Sequence, residues 1–331
     1  MKQFLVLVLS CYFTISFGQS SYEIFGFSEK YKGLLIIEEG YEDEVFKKGE
    51  ISIIEIKTNR PIIKINSDEL TFDFDEKGKV ETNISELPYG EQSIIICQDF
   101  NFDGIDDLAV MDGQFSCYHG PSFQIYLETK EGLKHSSEFT RLAQEYCGMF
   151  TVDNDAEAIY TMTKSGCCWH QYTTFRVENN IPIEYNVFEE NLNPNGFMWD
   201  YVVKNRKEGR MVEQKYSILI GEADIILVYD LTFKNDKKME IYRAFDFEDY
   251  LFYTFKDKDD KIELFYSDQF VYDKRKNTLT FTNEGVNYLI YNEGILINLP
   301  NKQVDLKAIG SSADVSLSSL AGLKLKNLIL K

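Results

Sequence analysis

The chain has 331 residues, 44% of them hydrophobic, and carries 54 acidic against 35 basic side chains for a formal net charge of −19. That hydrophobic fraction excludes a mainly disordered chain, and the length suits two domains or one large all-β unit. The negative charge argues against a nucleic-acid partner, whose phosphates would repel it, and favours metal cations or a basic protein partner, although plain solubility explains it equally well.

The N-terminus, MKQFLVLVLSCYFTISFGQSSYE, places one Lys before a short apolar run that gives way to small and polar residues at Ser16, Gly18, Gln19 and Ser20. This pattern predicts a secretory signal peptide over residues 1–19, cleaved near Gln19. Lipidation at Cys11 is the alternative, since VLSC loosely resembles a lipoprotein cleavage box. The apolar run continues past it as YFTISF, which favours the cleaved signal over an anchor. No other segment is long and apolar enough to span a bilayer. The expected location is periplasmic or secreted, with no transmembrane span in the mature chain.

From about residue 30 onward, aromatic and β-branched residues alternate with polar ones, and the protein reads as mostly β. GLLIIEEG, EISIIEIKT, ELTFDFDEKGKVETNI, PSFQIYLET and YTTFRVENNIPIEYNVF are expected strands joined by Gly, Asn or Asp turns. EKGK and VENNIPIEY read as hairpin connections. The convincing helical stretches are short, such as SSEFTRLAQEY, where a Ser is placed to cap the start. An Asn/Pro/Gly cluster in EENLNPNGFMWD separates residues 20–190 from 191–331. The first part is expected to form an antiparallel meander, propeller-like, or a sandwich. The second, cysteine-free and rich in Tyr and Phe at period two, is expected to form another antiparallel meander, closed as a small sandwich or barrel. The final SSADVSLSSLAGLKLKNLILK fits a helix or a strand.

Export changes how the cysteines read. Past the signal they are Cys97, Cys117, Cys147, Cys167 and Cys168, all in one half of the chain. In an oxidising compartment this predicts one or two disulfides with one thiol left over. Cys167 and Cys168 point to opposite sides if their segment is extended, so only one of them is expected to be bridged within it. The pairing itself stays open.

The stretch DFNFDGIDDLAV, residues 99–110, sets Asp99, Asn101, Asp103, Ile105 and Asp107 at positions 1, 3, 5, 7 and 9 around Gly104. Calcium takes six to eight hard oxygens, and side chains at 1, 3, 5 and 9 with a backbone carbonyl at 7 supply them from one tight turn. Position 12, where an EF-hand has its bidentate Glu, is Val110, and the strand-like DLAVMDG follows instead of a helix. The spelling resembles the calcium loop of FG-GAP repeats, found in integrin-type β-propellers; one good copy does not support a repeat propeller. Because the loop joins two strands, the expected role of calcium is structural. The acidic turns FKDKDDK and VDNDAE lack the glycine and read as solvated.

No H-E-x-x-H, G-x-S-x-G or P-loop occurs, and nothing singles out a carboxylate pair for glycosidase chemistry. CYH and CCWH, holding Cys117, His119, Cys167, Cys168 and His170, could together make a Cys/His zinc set, but export makes disulfides the better account. The expectation is a protein that is not an enzyme. TKSGCCWHQYTTFRV offers a contact surface instead: a turn at Ser165 and Gly166, then Trp169, His170 and Tyr172, side chains that bury large area at low entropic cost. A core Trp beside a structural disulfide is the competing account.

With the calcium loop, the GPSFQIYLE strand and the SGCCWHQYTTFRV segment together, residues from about 60 to 185 resemble the exported bacterial immunity proteins related to the inhibitors of invertebrate-type lysozyme. The resemblance implies a largely β protein that protects its producer from peptidoglycan-cleaving effectors of rival bacteria. It also implies that a Ser-Gly loop with a downstream Tyr, here Ser165, Gly166 and Tyr172, enters the target's active-site cleft. CCWH inside that loop departs from the pattern, and the C-terminal meander lies outside it. The expected partner is a basic peptidoglycan hydrolase; the alternative is a calcium-dependent, adhesin-like surface module that binds glycan or protein.

Overall fold

A computed structural model describes residues 20–86, 92–221, 224–245, 249–312 and 314–331. The expected signal peptide, with Cys11, lies outside the described residues. The fold is mostly β, in several antiparallel sheets, and the chain forms two compact units. The first comprises the described chain up to Lys164 together with Tyr172–Asn186, the second Ser165–Gln171 together with Val187–Lys331.

In the first unit, β1 (Ser20–Ile24), β2 (Tyr31–Ile37), β3 (Lys47–Glu55) and β4 (Arg60–Leu70) form an antiparallel meander. β2 buries every second residue, the signature of a sheet with one solvated face. A second antiparallel sheet follows, made of β5 (Ile95–Gln98), β6 (Asp107–Ser116), β7 (Gly120–Thr129) and β8 (Gly132–His135). Leu35, Ile51 and Ile53 of the first sheet and Ile95, Leu108, Val110, Phe123 and Ile125 of the second share one core. The expected helix is present as α1 (Ser137–Glu145): Ser136 Oγ accepts from Phe139 N–H at 3.4 Å as its N-cap, and Phe139, Leu142 and Ala143 are buried. β9 (Thr151–Asp153) pairs with β10 (Ala158–Ser165). β11 (Trp169–Glu178) and β12 (Ile181–Leu192) flank a turn in which Asn179 and Asn180 both have left-handed φ, 53° and 61°.

One expected strand is shorter than its pattern suggests. ELTFDFDEKGKVETNI leaves the ladder at Leu70, the end of β4, and continues irregularly with an isolated bridge between Phe74 and Val80. Asp75 is the physical reason. Its Oδ1 accepts from Lys77 N–H at 2.9 Å and Lys79 N–H at 2.8 Å, drawing into a local turn donors that a long ladder would need.

In the second unit, β13 (Met198–Lys207) and β14 (Arg210–Leu219) form a hairpin, and β15 (Ile225–Thr232), β16 (Lys238–Ala244), β17 (Tyr250–Lys256) and β18 (Ile262–Tyr266) form a four-stranded antiparallel sheet. A meander of β19 (Phe270–Asp273), β20 (Thr278–Asn283), β21 (Val286–Tyr291), β22 (Gly294–Leu299) and β23 (Lys302–Lys307) completes it. The end of the chain is neither one helix nor one strand. A 3-10 turn at Leu317–Gly322 buries Leu317 and Leu320, and β24 (Leu328–Leu330) then pairs with β19 in parallel, Phe270 against Leu328. This parallel pairing departs from the expected antiparallel pattern.

Asn327 seats that last strand. Its Nδ2 donates to the carbonyls of Leu251 and Ser267 at 2.8 Å each, and its Oδ1 accepts from Leu251 N–H at 2.8 Å. Replacing it strands these three backbone groups and the Asp268 carbonyl, which Nδ2 also reaches at 2.8 Å, so Asn327→Ala is expected to destabilise the second unit by about 2 kcal/mol in urea unfolding. An unchanged midpoint would show that β24 is held by packing alone.

Candidate functional site

The loop between β5 and β6, with the first residue of β6, carries the five expected metal ligands. Gly104 turns the chain with φ 82°, a conformation that costs a side chain-bearing residue, and Phe102 adds a second left-handed turn at φ 64°. Asp99 accepts from Gly104 N–H at 2.8 Å and Asp103 N–H at 3.2 Å, and Asp103 accepts from Ile105 N–H at 2.9 Å. Phe100, fully buried, packs edge-on against Phe150 and pins the loop to the core.

Asp107 sits at the foot of the loop as the first residue of β6, with no solvent exposure. Its two oxygens accept from Phe100 N–H at 2.9 Å and Glu128 N–H at 2.8 Å. Burial pushes its carboxyl up to about 7 against the pull of those two donors, and the charges of Asp103 and Asp99 push the same way. Neighbouring Glu128 accepts from Tyr31 Oη at 2.7 Å and Lys30 Nζ at 3.0 Å. The free thiol of Cys97, on β5, is pushed up to about 12 by burial and then by Asp106, Asp107 and Glu128.

Among the described residues, no group of three or more His, Cys, Asp or Glu side chains is gathered to hold a metal ion; here the carboxylates turn to backbone amides. The donor chemistry nevertheless fits calcium. Asp99, Asn101, Asp103, the carbonyl of Ile105 and Asp107 offer hard oxygens only, and the charge buried at Asp107 beside two further carboxylates is what a divalent cation would offset.

Asn101 has a role that its spacing does not disclose. Its Nδ2 donates to Asp103 at 3.0 Å and to Asn180 Oδ1 at 3.0 Å. The loop is therefore tied to the turn that ends β11, the strand that begins at Trp169. Asn180 was readable as a turn residue; nothing local linked it to a loop 79 positions away.

The expected contact residues are divided. Ser165, Gly166, Trp169 and His170 belong to the second unit and Tyr172 to the first. Ser165, Gly166 and Tyr172 are exposed, Trp169 and His170 partly buried, and His170 Nδ1 lies 3.2 Å from Glu190. Cys117 is bonded to Cys147, Cys167 to Cys168, and Cys97 is free, so two disulfides and one thiol occur, with Cys117, Cys167 and Cys168 withheld from any zinc set. The expectation that only one of the vicinal pair is bridged is overturned. The segment turns at Gly166, φ 65°, instead of running extended, and this removes the opposed side-chain directions on which the expectation rested.

No protein-family model matches the chain, and no curated protein does. Among solved structures it is similar to a Xanthomonas type IV secretion system related protein, at 17% identity and TM-score 0.45 over 60% of this chain and 94% of that one. It is also similar to a putative 6-phosphogluconolactonase from Bacteroides uniformis, at 9% identity and TM-score 0.22 over 89% and 85%. Neither likeness is close enough to carry a function across.

Proposed function

We propose that the protein is an exported, calcium-stabilised inhibitor or immunity protein directed at a basic, lysozyme-like peptidoglycan hydrolase. Calcium is held by Asp99, Asn101, Asp103, Ile105 and Asp107, and Ser165, Gly166, Trp169, His170 and Tyr172 make the contact. The observation that supports this reading is the tie between Asn101 and Asn180. It joins the metal loop to one end of β11, while the exposed Ser165–Gly166 turn precedes the other. Calcium thus braces the strand that carries Trp169, His170 and Tyr172 and performs no chemistry of its own. The chain's net charge of −19 suits encounter with a basic target.

The test is inhibition of a basic muramidase by the calcium-loaded protein. Tyr172→Ala, at a residue 44% exposed, is expected to weaken inhibition at least tenfold with folding and calcium binding intact. Full inhibition by the variant removes this segment from the contact. Retention on glycan arrays with no effect on any muramidase would instead favour an adhesin-like module.

A further inference from the structure

A cavity of about 900 Å³ opens on the first unit. Its walls carry five carboxylates, Glu38, Glu50, Asp68, Glu69 and Asp112, against two ammonium groups, Lys48 and Lys64. Both lysines are engaged: Lys48 Nζ lies 3.2 Å from Glu38 and 3.7 Å from Asp68, and Lys64 pairs with Glu50. Asp112, by contrast, is buried on neutral partners, accepting from Ser122 Oγ at 2.6 Å and Gln144 Nε2 at 2.7 Å. Glu69 faces His119 Nε2 at 3.3 Å. The walls keep a negative excess that no lysine within them balances.

One aromatic ring, Phe115, lines this cavity, and the backbone is shaped to present it. β6 slips register on both sides of Gly113, whose φ is 148°. A Cβ at Gly113 would meet the Phe115 ring at 2.9 Å, so the bulge lays that ring over a bare glycine and leaves it 66% exposed at the cavity wall. Tyr118 and His119 follow with φ 54° and 60°, two consecutive left-handed residues that are not glycine, in a turn closed by the Cys117–Cys147 disulfide. Tyr118 is 60% exposed, and Phe46 packs edge-on against His119 at 5.1 Å. The Tyr118 ring already receives a cation, with Lys164 Nζ 5.2 Å from its centroid.

We propose that the cavity and the aromatic turn from Phe115 to His119 form a docking surface for an arginine- or lysine-bearing segment of a protein partner. Cationic heads would sit among Glu50, Glu69 and Asp112 and stack on Phe115 and Tyr118. The inference rests on the reading of a basic partner, but not on that partner being a hydrolase.

The probe is an N-acetylated octa-arginine peptide titrated calorimetrically onto the full chain at low salt. Binding is expected, weakened about tenfold in Phe115→Ala/Tyr118→Ala and again in Glu50→Gln/Glu69→Gln. Asp236→Asn/Glu284→Gln removes the same charge from exposed positions of the second unit and is expected to leave the affinity unchanged. Wild-type affinity in the aromatic double variant, or an equal loss in the charge-matched control, overturns the surface. The two readings separate cleanly. Site-dependent peptide binding without muramidase inhibition keeps the surface and removes the hydrolase; inhibition without peptide binding removes the surface and keeps the hydrolase.

Discussion

Calcium at about 100 times its dissociation constant is expected to raise the melting temperature of the first unit by roughly 5–10 °C. A ligand at that excess adds about 2.7 kcal/mol, and each kcal/mol shifts a unit of this size by about 2–4 °C. The dependence on pH has a definite sign. The folded-state carboxyl of Asp107 stands at about 7, above its ordinary 3.8. A raised carboxyl favours the folded state while protonated, and that contribution is lost as pH rises from the ordinary value through about 7. Calcium needs the ionised carboxylate and competes with the proton for it. The calcium-induced shift is therefore expected to be small at pH 5.5 and full at pH 8, read by differential scanning calorimetry. Asp107→Asn should remove most of the shift, whereas Asp155→Asn, in an exposed acidic turn, should leave it intact. An equal shift with magnesium, or one retained in Asp107→Asn, would falsify the site.

Most of the scaffold beneath this loop is legible in the residues themselves. Alternating burial in β2 follows from YKGLLII, and Ser136 caps α1 as its position implies. The loop's Asp/Asn spacing around Gly104 likewise maps onto a single turn. What escapes local reading depends on partners distant in sequence or on backbone that residue type does not announce. The parallel pairing of β24 with β19 joins segments separated by four intervening strands and a 3-10 turn. The turn at Ser165 and Gly166 is announced by those residues, but that it continues through Cys167 and Cys168, where the vicinal disulfide forms, is not. Tyr118 is an aromatic residue of a type that ordinarily favours strands. The left-handed backbone of Tyr118 and His119 occurs where the Cys117–Cys147 disulfide ties the turn to a segment 30 positions away, a link that the residues around Tyr118 do not announce.

Asn101→Asp is expected to separate the two duties of that loop position. In the wild type one amide serves both: its oxygen, which accepts from Asp103 N–H at 3.2 Å, is the group expected to turn to the metal, and its Nδ2 donates to Asp103 and Asn180. A carboxylate keeps the oxygens but has no donor, and it turns two hydrogen bonds into like-charge and lone-pair repulsion. Without calcium the variant is expected to lose about 2–3 kcal/mol, since it adds a charge beside three carboxylates and breaks the tie to Asn180. Calcium should recover much of that loss, because added negative charge strengthens oxygen-donor sites. Hydrogen exchange at the Asn179–Asn180 turn should stay fast even with the metal bound. If exchange there returns to the wild-type rate on calcium addition, the amide is not the link between loop and strand. If it stays fast while calcium affinity holds and muramidase inhibition falls, then calcium acts through β11, and the metal's contribution to inhibition is the positioning of a strand end.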